Sequence, residues 1–570
     1  MFLVILPWSL LSQDYYLEFE GTAIDLREVE KYNIEKRSND SLKLLNQVID
    51  LHQSFQEQGF LSVNIDTFWK DSNHLLATVQ LGDRFQWVQL APGNVDAVML
   101  QKIGYKEKLY LNKPFHYREV HQLMVKLIRL SGDSGYPFAS VRLDSIQILD
   151  AEVFARLVYD SGPLITFDSV ILTEQVKINT RFLQAYLKIQ PGASFSETVI
   201  EELPDRIKKL PYLRITEEPL LTFQNDQAST YLSLQLTKAN QIDGVLGFLP
   251  NAKGEGGLLL TGQFNLLLQN MFGSGRSLGL QWESFKPESQ LLNINFYQPI
   301  LFRSPIDLDL KFKLFKEDSI FVNRSFDLDL GYSYQRHFMG IYTHLKTARL
   351  PSSGLFDDIT TFPDLADFNL NQFGGTYRWD HLDDYIDPKA GIRISMRAST
   401  GTKKIRKNSA ISDSLYQDLD LESNQFSWEA ELLGFIPLSK HWVIAGKWKG
   451  GGVYNSRLFF NDLFRLGGIK SLRGFSENTF FADNFAYSTI EPRFFFETGS
   501  YLFVFYDQAW WLKYSLENNS FEDRPSGFGA GISLTTKAGI FNFVWAVGSS
   551  KIQEIGLGQS KIHFGYISRF

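Results

Sequence analysis

The sequence predicts a run of small α+β repeats followed by a 16-stranded antiparallel transmembrane β-barrel. Three observations predict it. Aromatic residues make up 15% of the 570-residue chain, yet mean hydropathy is −0.16. No apolar run approaches the ~18 residues of a membrane-crossing helix. From residue 241 onward apolar and polar side chains alternate, as they must on a strand with one lipid face and one lumen face. Residues 15–240 lack that alternation and repeat a strand, helix, strand, strand pattern at a spacing of about 75 residues. A large soluble β-protein shares the composition, so the weight of the assignment falls on the strands.

Charge and cysteine content narrow the function classes. The net charge of −7 and pI of about 5.8 leave no basic footprint for nucleic acid. The chain has no cysteine, which removes disulfides, thiolate nucleophiles, cysteine zinc sites and a lipid-anchored N-terminal cysteine. Residues 1–14 read as a signal-like segment, apolar but without the positively charged start of an export signal.

Residues 15–84, 85–162 and 163–240 read as three repeats. The first has a strand at 15–20, a helical pattern at 42–55 (Leu44, Leu45, Val48, Leu51, Phe55), and strands at 59–65 and 75–81. The second has a strand at 85–90, a helix at 117–130, and strands at 135–141 and 153–159. The third has a strand at 165–171, helical patterns at 180–187 and 197–210, and strands near Leu220 and at 231–236. A glycine followed by an aromatic residue turns the chain sharply out of the helix and drops the ring onto the sheet. In the third repeat Leu210-Pro-Tyr-Leu213 stands in that place. Gly132-Asp-Ser-Gly135 mimics a serine nucleophile loop. Catalysis would need a histidine base and a buried acid converging on Ser134, and the reading is a helix-to-strand turn.

These repeats resemble POTRA (polypeptide-transport-associated) domains, at Gly135-Tyr-Pro-Phe-Ala139 together with Tyr159-Asp-Ser-Gly-Pro163. Such a module can pair an exposed sheet edge with the backbone of an extended client. A chain of inert spacers is the alternative.

In the barrel region, Ile306, Leu308, Leu310, Phe312 and Leu314 share one face and Asp307, Asp309, Lys311 and Lys313 the other. Residues 326–334 and 392–399 repeat the pattern, with Arg393 and Arg397 on one polar face. Strands of about ten residues, sixteen in all over 242–570, suit a closed membrane barrel. Residues 350–368 and 401–424 read as outer loops. In the strand at 488–496, Ile490, Pro492, Phe494 and Phe496 face lipid, which puts Glu491 in the lumen. Asp507 shares parity with Phe503 and Phe505, and an acid facing lipid is costly, so Asp507 also faces inward and needs a cation.

Residues 465–475, Arg-Leu-Gly-Gly-Ile-Lys-Ser-Leu-Arg-Gly-Phe, lie between such strands. Alone, this basic glycine-rich stretch is a surface turn. Flanked by lumen-facing acids, it reads as an inward-folded latch, in which Gly467 and Gly468 only bend the chain.

Leu472-Arg-Gly-Phe475, Phe505-Tyr-Asp507 and the terminal Phe570 resemble the BamA/TamA superfamily of outer-membrane assembly proteins. The resemblance implies that Arg473 is a lumen arginine, that Gly474 permits its tight approach, and that Phe475 packs beside it. Asp507 is then its acidic partner, with Phe505 close by; parity adds Glu491 as a second acid. The last strand, 561–570, resembles a barrel recognition signal at Gly565 and Phe570, with Ser568 departing from it.

The resemblance implies a protein of the outer membrane with its N-terminal domains in the periplasm. Its expected partners are unfolded outer-membrane protein clients and outer-membrane lipid, with room for periplasmic or lipoprotein accessory factors. No cofactor or metal is expected, since the nine histidines are scattered and no ligand spacing occurs. The expected function is assembly, insertion or translocation of outer-membrane proteins, without enzymatic activity. Clients would meet the seam between the first and last barrel strands, where Gly244 and Gly247 weaken the first strand. Two alternatives stay open: a two-partner-type secretion pore, for which the stretch before Tyr15 is short of a plugging helix, and a passive channel.

Overall fold

The computed structural model describes residues 14–250, 258–284, 289–318, 320–350, 359–385, 387–513, 520–536 and 539–570. The signal-like segment, except for its last residue, lies outside them. The chain divides into two compact units. One holds residues up to 168 with 191–201 and 223–228; the other holds 169–190, 202–222 and 229–570.

In the first unit, two mixed four-stranded sheets share one plan. Their orders are Arg37–Ser38, Tyr15–Glu20, His74–Gln80, Asn64–Trp69, and Lys113–Pro114, Gln86–Ala91, Glu152–Asp160, Ser140–Leu149. In each the central pair is parallel. The helix Ser41–Glu57 starts on Asp40, whose carboxylate accepts from the Leu42 amide, and buries Leu44, Val48, Leu51 and Phe55 as one stripe. Tyr117–Gly132 buries Val120, Leu123 and Leu127 in the same manner.

Both helices end on the expected glycine. Gly59 (φ +100°) and Gly135 (φ +97°) are left-handed, and the amides of Phe60 and Tyr136 reach back to the carbonyls of Phe55 and Ser131, closing the helix ends. Two further helices, Ala23–Val29 and Ala97–Ile103, were not legible; at seven residues they show no helical period. Ser134 Oγ donates to the Leu130 carbonyl at 2.7 Å, a helix back-bond rather than a nucleophile's setting.

In the second unit, the helices Thr180–Leu187 and Leu203–Lys208 accompany the antiparallel pair Leu213–Ile215 and Leu234–Leu236. The helical pattern expected over 197–210 is broken into Glu197–Glu201 and Leu203–Lys208.

The rest of this unit is a closed antiparallel barrel of 16 strands. In order they are Gln241–Pro250, Leu258–Met271, Arg276–Ser284, Gln290–Gln298, Ile306–Glu317, Phe321–Tyr334, His337–Arg349, Asp367–Leu382, Gly391–Arg406, Glu422–Pro437, Trp442–Tyr454, Asn484–Glu497, Ser500–Lys513, Phe521–Asp523 continued by Ser526–Thr535, Ile540–Ser549 and Lys561–Arg569. Alternation sets the faces. Ile490, Leu502, Val504 and Tyr506 are exposed on the outer wall, whereas Asp307, Asp329, Asp380, Glu491 and Asp507 are buried within.

Two expectations change. The strands from Asp367 to Pro437 are 16 residues long, not about ten. The stretch 401–406, expected as loop, continues the strand Gly391–Arg406, because Lys403 turns inward to an ion pair with Asp462 and does not seek water.

Candidate functional site: an inward-folded loop and the barrel seam

Residues 455–483 join the eleventh and twelfth strands, Trp442–Tyr454 and Asn484–Glu497. Their arms pair as a short ribbon, Phe464–Leu466 with Phe480–Ala482. The tip begins at Gly467 (φ +115°) and Gly468 (φ +91°), and Gly468 bridges to Leu472. Gly468 does more than bend the chain: a Cβ there would lie 2.0 Å from the Glu477 carboxylate, which also accepts from the Ile469 amide.

The tip delivers Arg473 to both expected acids. Its backbone amide and Nε donate to Asp507 Oδ2 at 3.0 and 2.8 Å, and Nη2 donates to Oδ1 at 2.7 Å. Nη1 donates to Glu491 Oε2 at 2.6 Å, while Arg493 Nε supplies Glu491 Oε1 at 2.9 Å. Two arginines and two carboxylates thus form a neutral group in which every carboxylate oxygen accepts a hydrogen bond. Asp507 is fully buried (0% exposed) and Arg473 8% exposed, so the bidentate fork works where water does not compete. The guanidinium carbon lies 3.4 Å from the centroid of the Phe505 ring, which adds a cation–π contact. The cluster contains no unpaired nucleophile or base; what it can do is hold backbone in place.

Glycines provide the room. Gly474 (φ +90°) passes the fifteenth strand so closely that a Cβ would meet Gly548 N and Val547 C at 2.5 Å. Phe475, wholly buried, lies over Gly548 and edge-on to Phe480 at 4.9 Å between centroids. On the fourteenth strand Gly527, Gly529 and Gly531 sit opposite Asp507, Phe505 and Phe503. This register gives each large inward side chain a neighbour without one. Gln553 clamps the tip from the last outer loop, its Nε2 donating to the carbonyls of Gly474 and Gly548 at 3.1 and 3.2 Å. The sequence reading missed these residues. A glycine every second residue from 527 to 531 was the available signal, since it marks a strand whose inner face must stay empty.

At the seam, the first and last strands pair at three positions, Gln241 with Arg569, Ile242 with Ser568 and Asp243 with Ile567. By contrast the first strand pairs with the second at ten, 241–250. Gly244 faces Phe264 of the second strand, where a Cβ would fall 2.6 Å from the Gln263 carbonyl, and Gly247 faces Thr261. Gly565 lies opposite Asn542. The Phe570 amide donates to the Asn240 carbonyl at 3.1 Å, and its ring is half exposed. The loop cluster and the seam are separate sites on one wall.

The Omp85 superfamily domain matches residues 270–570, the greater part of the barrel and the whole inward loop. The chain belongs to the Omp85 superfamily. Omp85 membership makes it an outer-membrane β-barrel protein, and its N-terminal α/β domains, which resemble POTRA domains, lie in the periplasm. It supports a general role in outer-membrane protein insertion or translocation.

Among solved structures the chain is similar to CdiB from Escherichia coli, with a TM-score of 0.55 at 13% identity, covering 92% of this chain and 97% of that one. It is also similar to CdiB from Acinetobacter baumannii, with a TM-score of 0.54 at 14% identity and the same coverage. A structure of BamA from Haemophilus ducreyi lacking POTRA domains 1–3 aligns with a TM-score of 0.41 at 15% identity, covering 86% of this chain and 100% of that one. At these identities the two CdiB likenesses concern the fold. No curated protein matches the chain in sequence.

Proposed function

We propose that this Omp85 protein inserts unfolded outer-membrane proteins through its barrel seam, without enzymatic chemistry or cofactor. The observation that carries the reading is the seam's three-pair register. Among the described residues, the first strand beyond Asp243 pairs with the second strand and not with the last, so that edge can accept a client strand. Three N-terminal modules collect extended clients by edge pairing. Burial of client strands in lipid supplies the driving force. Arg473, held by Asp507 and Glu491, fixes the twelfth and thirteenth strands while the seam itself changes. Outer-membrane lipid is the second partner, and periplasmic or lipoprotein factors would attach to the modules.

The test is insertion of an unfolded barrel client into vesicles carrying the purified protein, read as protease-protected, heat-modifiable client. Acceleration over empty vesicles supports the proposal. A large, steadily open conductance together with no acceleration favours the secretion-pore reading, for which the CdiB-like fold is equally suited.

A further inference from the structure

The inward loop is anchored at more than its tip. Its base lies on the far wall: Asn461 accepts at its carbonyl from Asn323 Nδ2 and Lys346 Nζ at 2.9 and 2.8 Å, on the sixth and seventh strands. Asp462 pairs with Lys403 of the ninth strand, both side chains fully buried. On the ribbon, Arg465 Nη1 meets Glu317 Oε2 of the fifth strand at 2.8 Å. The Arg465 guanidinium is enclosed by Phe315, Phe321 and Phe481, with ring centroids at 4.1, 5.2 and 4.7 Å. At the tip Lys470 Nζ reaches Glu283 Oε1 of the third strand at 3.1 Å. Three residues later Arg473 grips the twelfth and thirteenth strands.

The distances make this a chord across the barrel. Between Lys470 and Arg473 the backbone spans at most about 11 Å, to which the Lys470, Glu283 and Asp507 side chains add their own reach. Along the wall, from the third strand through the seam to the thirteenth, the path crosses six strand spacings, about 29 Å. That sector contains the seam. With the third and thirteenth strands attached to the two ends of this stretch, the wall between them can spread only as far as the backbone and its side chains reach before one end lets go. Four hydrogen bonds and an aromatic face hold the Arg473 end in a buried site. Lys470 is 60% exposed at its side chain and makes the weaker end.

We propose that the loop is a tie across the lumen. Lys470 on Glu283 and Arg465 on Glu317 hold the N-terminal side of the wall against the side gripped by Arg473, and the seam widens when these two pairs release. The functional use of this tie rests on the seam being the passage for clients. The tie itself does not, and it is tested by seam width alone.

The chain has no native cysteine, so Ile242→Cys with Ser568→Cys, opposite each other at the seam, report its closure by their rate of disulfide formation in the full-length protein. In that background Lys470→Glu is expected to slow cross-linking several-fold, and Lys470→Glu with Glu283→Lys to restore it. Arg465→Glu is expected to slow it further, with Glu317→Arg as its rescue. Heat-modifiability on gels confirms that each barrel has folded; if the Arg465 variants fail to fold, the Lys470 pair decides. Unchanged cross-linking in Lys470→Glu, or a folded double swap that does not recover, overturns the tie. If cross-linking responds as expected while client insertion is absent in every protein, the tie stands and the proposed function fails.

Discussion

Gly527 lies directly beneath the carbonyl oxygen of Arg473. A Cβ built on Gly527 would stand 2.1 Å from that oxygen, and Gly527 is also the cross-strand partner of Asp507. The arginine's side chain and its backbone are therefore placed by neighbouring residues of two adjacent strands. Gly527→Ala leaves every charge intact but forces the loop tip off its seat. Overpacking of this kind costs about 1–3 kcal/mol, and the temperature at which the folded gel band is lost should fall accordingly. An unshifted transition would show that the tip is not seated on this strand.

Arg473→Ala strips a buried carboxylate of its partner. Breaking such a pair costs about 3–5 kcal/mol. Arg473→Lys should recover only part of it, because an ammonium cannot fork to Asp507 while also reaching Glu491. Denaturant melts of the three proteins in detergent check this order; equal stability of the Ala and Lys variants would contradict the bidentate geometry.

Asp133 governs a joint in the first unit. It follows the helix Tyr117–Gly132 and accepts from Ser196 Oγ at 2.9 Å, and from the amide and hydroxyl of Thr198 at 2.8 Å each. Burial pushes its carboxyl up, but the hydrogen bonds from Thr198 and Ser196 outweigh this and hold it below the ordinary carboxylate range. A depressed carboxyl contributes stability above its unfolded value and loses it as pH falls through the folded one. Hydrogen exchange at the Thr198 amide should therefore show extra protection at neutral pH that disappears in acid. Asp133→Asn should flatten that pH dependence, and a wild-type profile in the variant would refute the joint.

Ser134, next to it in the nucleophile-like sequence, should be dispensable. Ser134→Ala loses one exposed back-bond to Leu130, a surface change worth within about 0.5 kcal/mol. Any loss of insertion activity without loss of fold would reopen a chemical role.

These residues show what the sequence exposes and what it hides. Asp507 and Glu491 were legible because strand parity is local: a charge on a membrane strand must face inward. Arg473 was singled out by the resemblance of Leu472-Arg-Gly-Phe475 to a known lumen loop. The partners of Arg465 and Lys470 were not legible. Glu317 and Glu283 lie on strands 148 and 187 residues earlier in the chain, and nothing local marks which strand faces the loop across the lumen. Gly527, Gly529 and Gly531 went unremarked, although they are the space that Arg473, Phe505 and Phe503 occupy. Lys403 and its neighbours read as loop because alternating polar residues at a strand's outer end carry no lipid-facing signal. The helix Ser41–Glu57 was found through four turns of apolar period, whereas Ala23–Val29 offered fewer than two.

If clients pass through the seam between Gln241–Pro250 and Lys561–Arg569, closing it covalently must stop insertion. The most direct measurement is client insertion by the Ile242→Cys, Ser568→Cys protein in vesicles, oxidised and then reduced. Insertion should stop when the disulfide closes the seam and resume on reduction, with the same protein in the same membranes. Insertion at an undiminished rate through a fully cross-linked seam would contradict it.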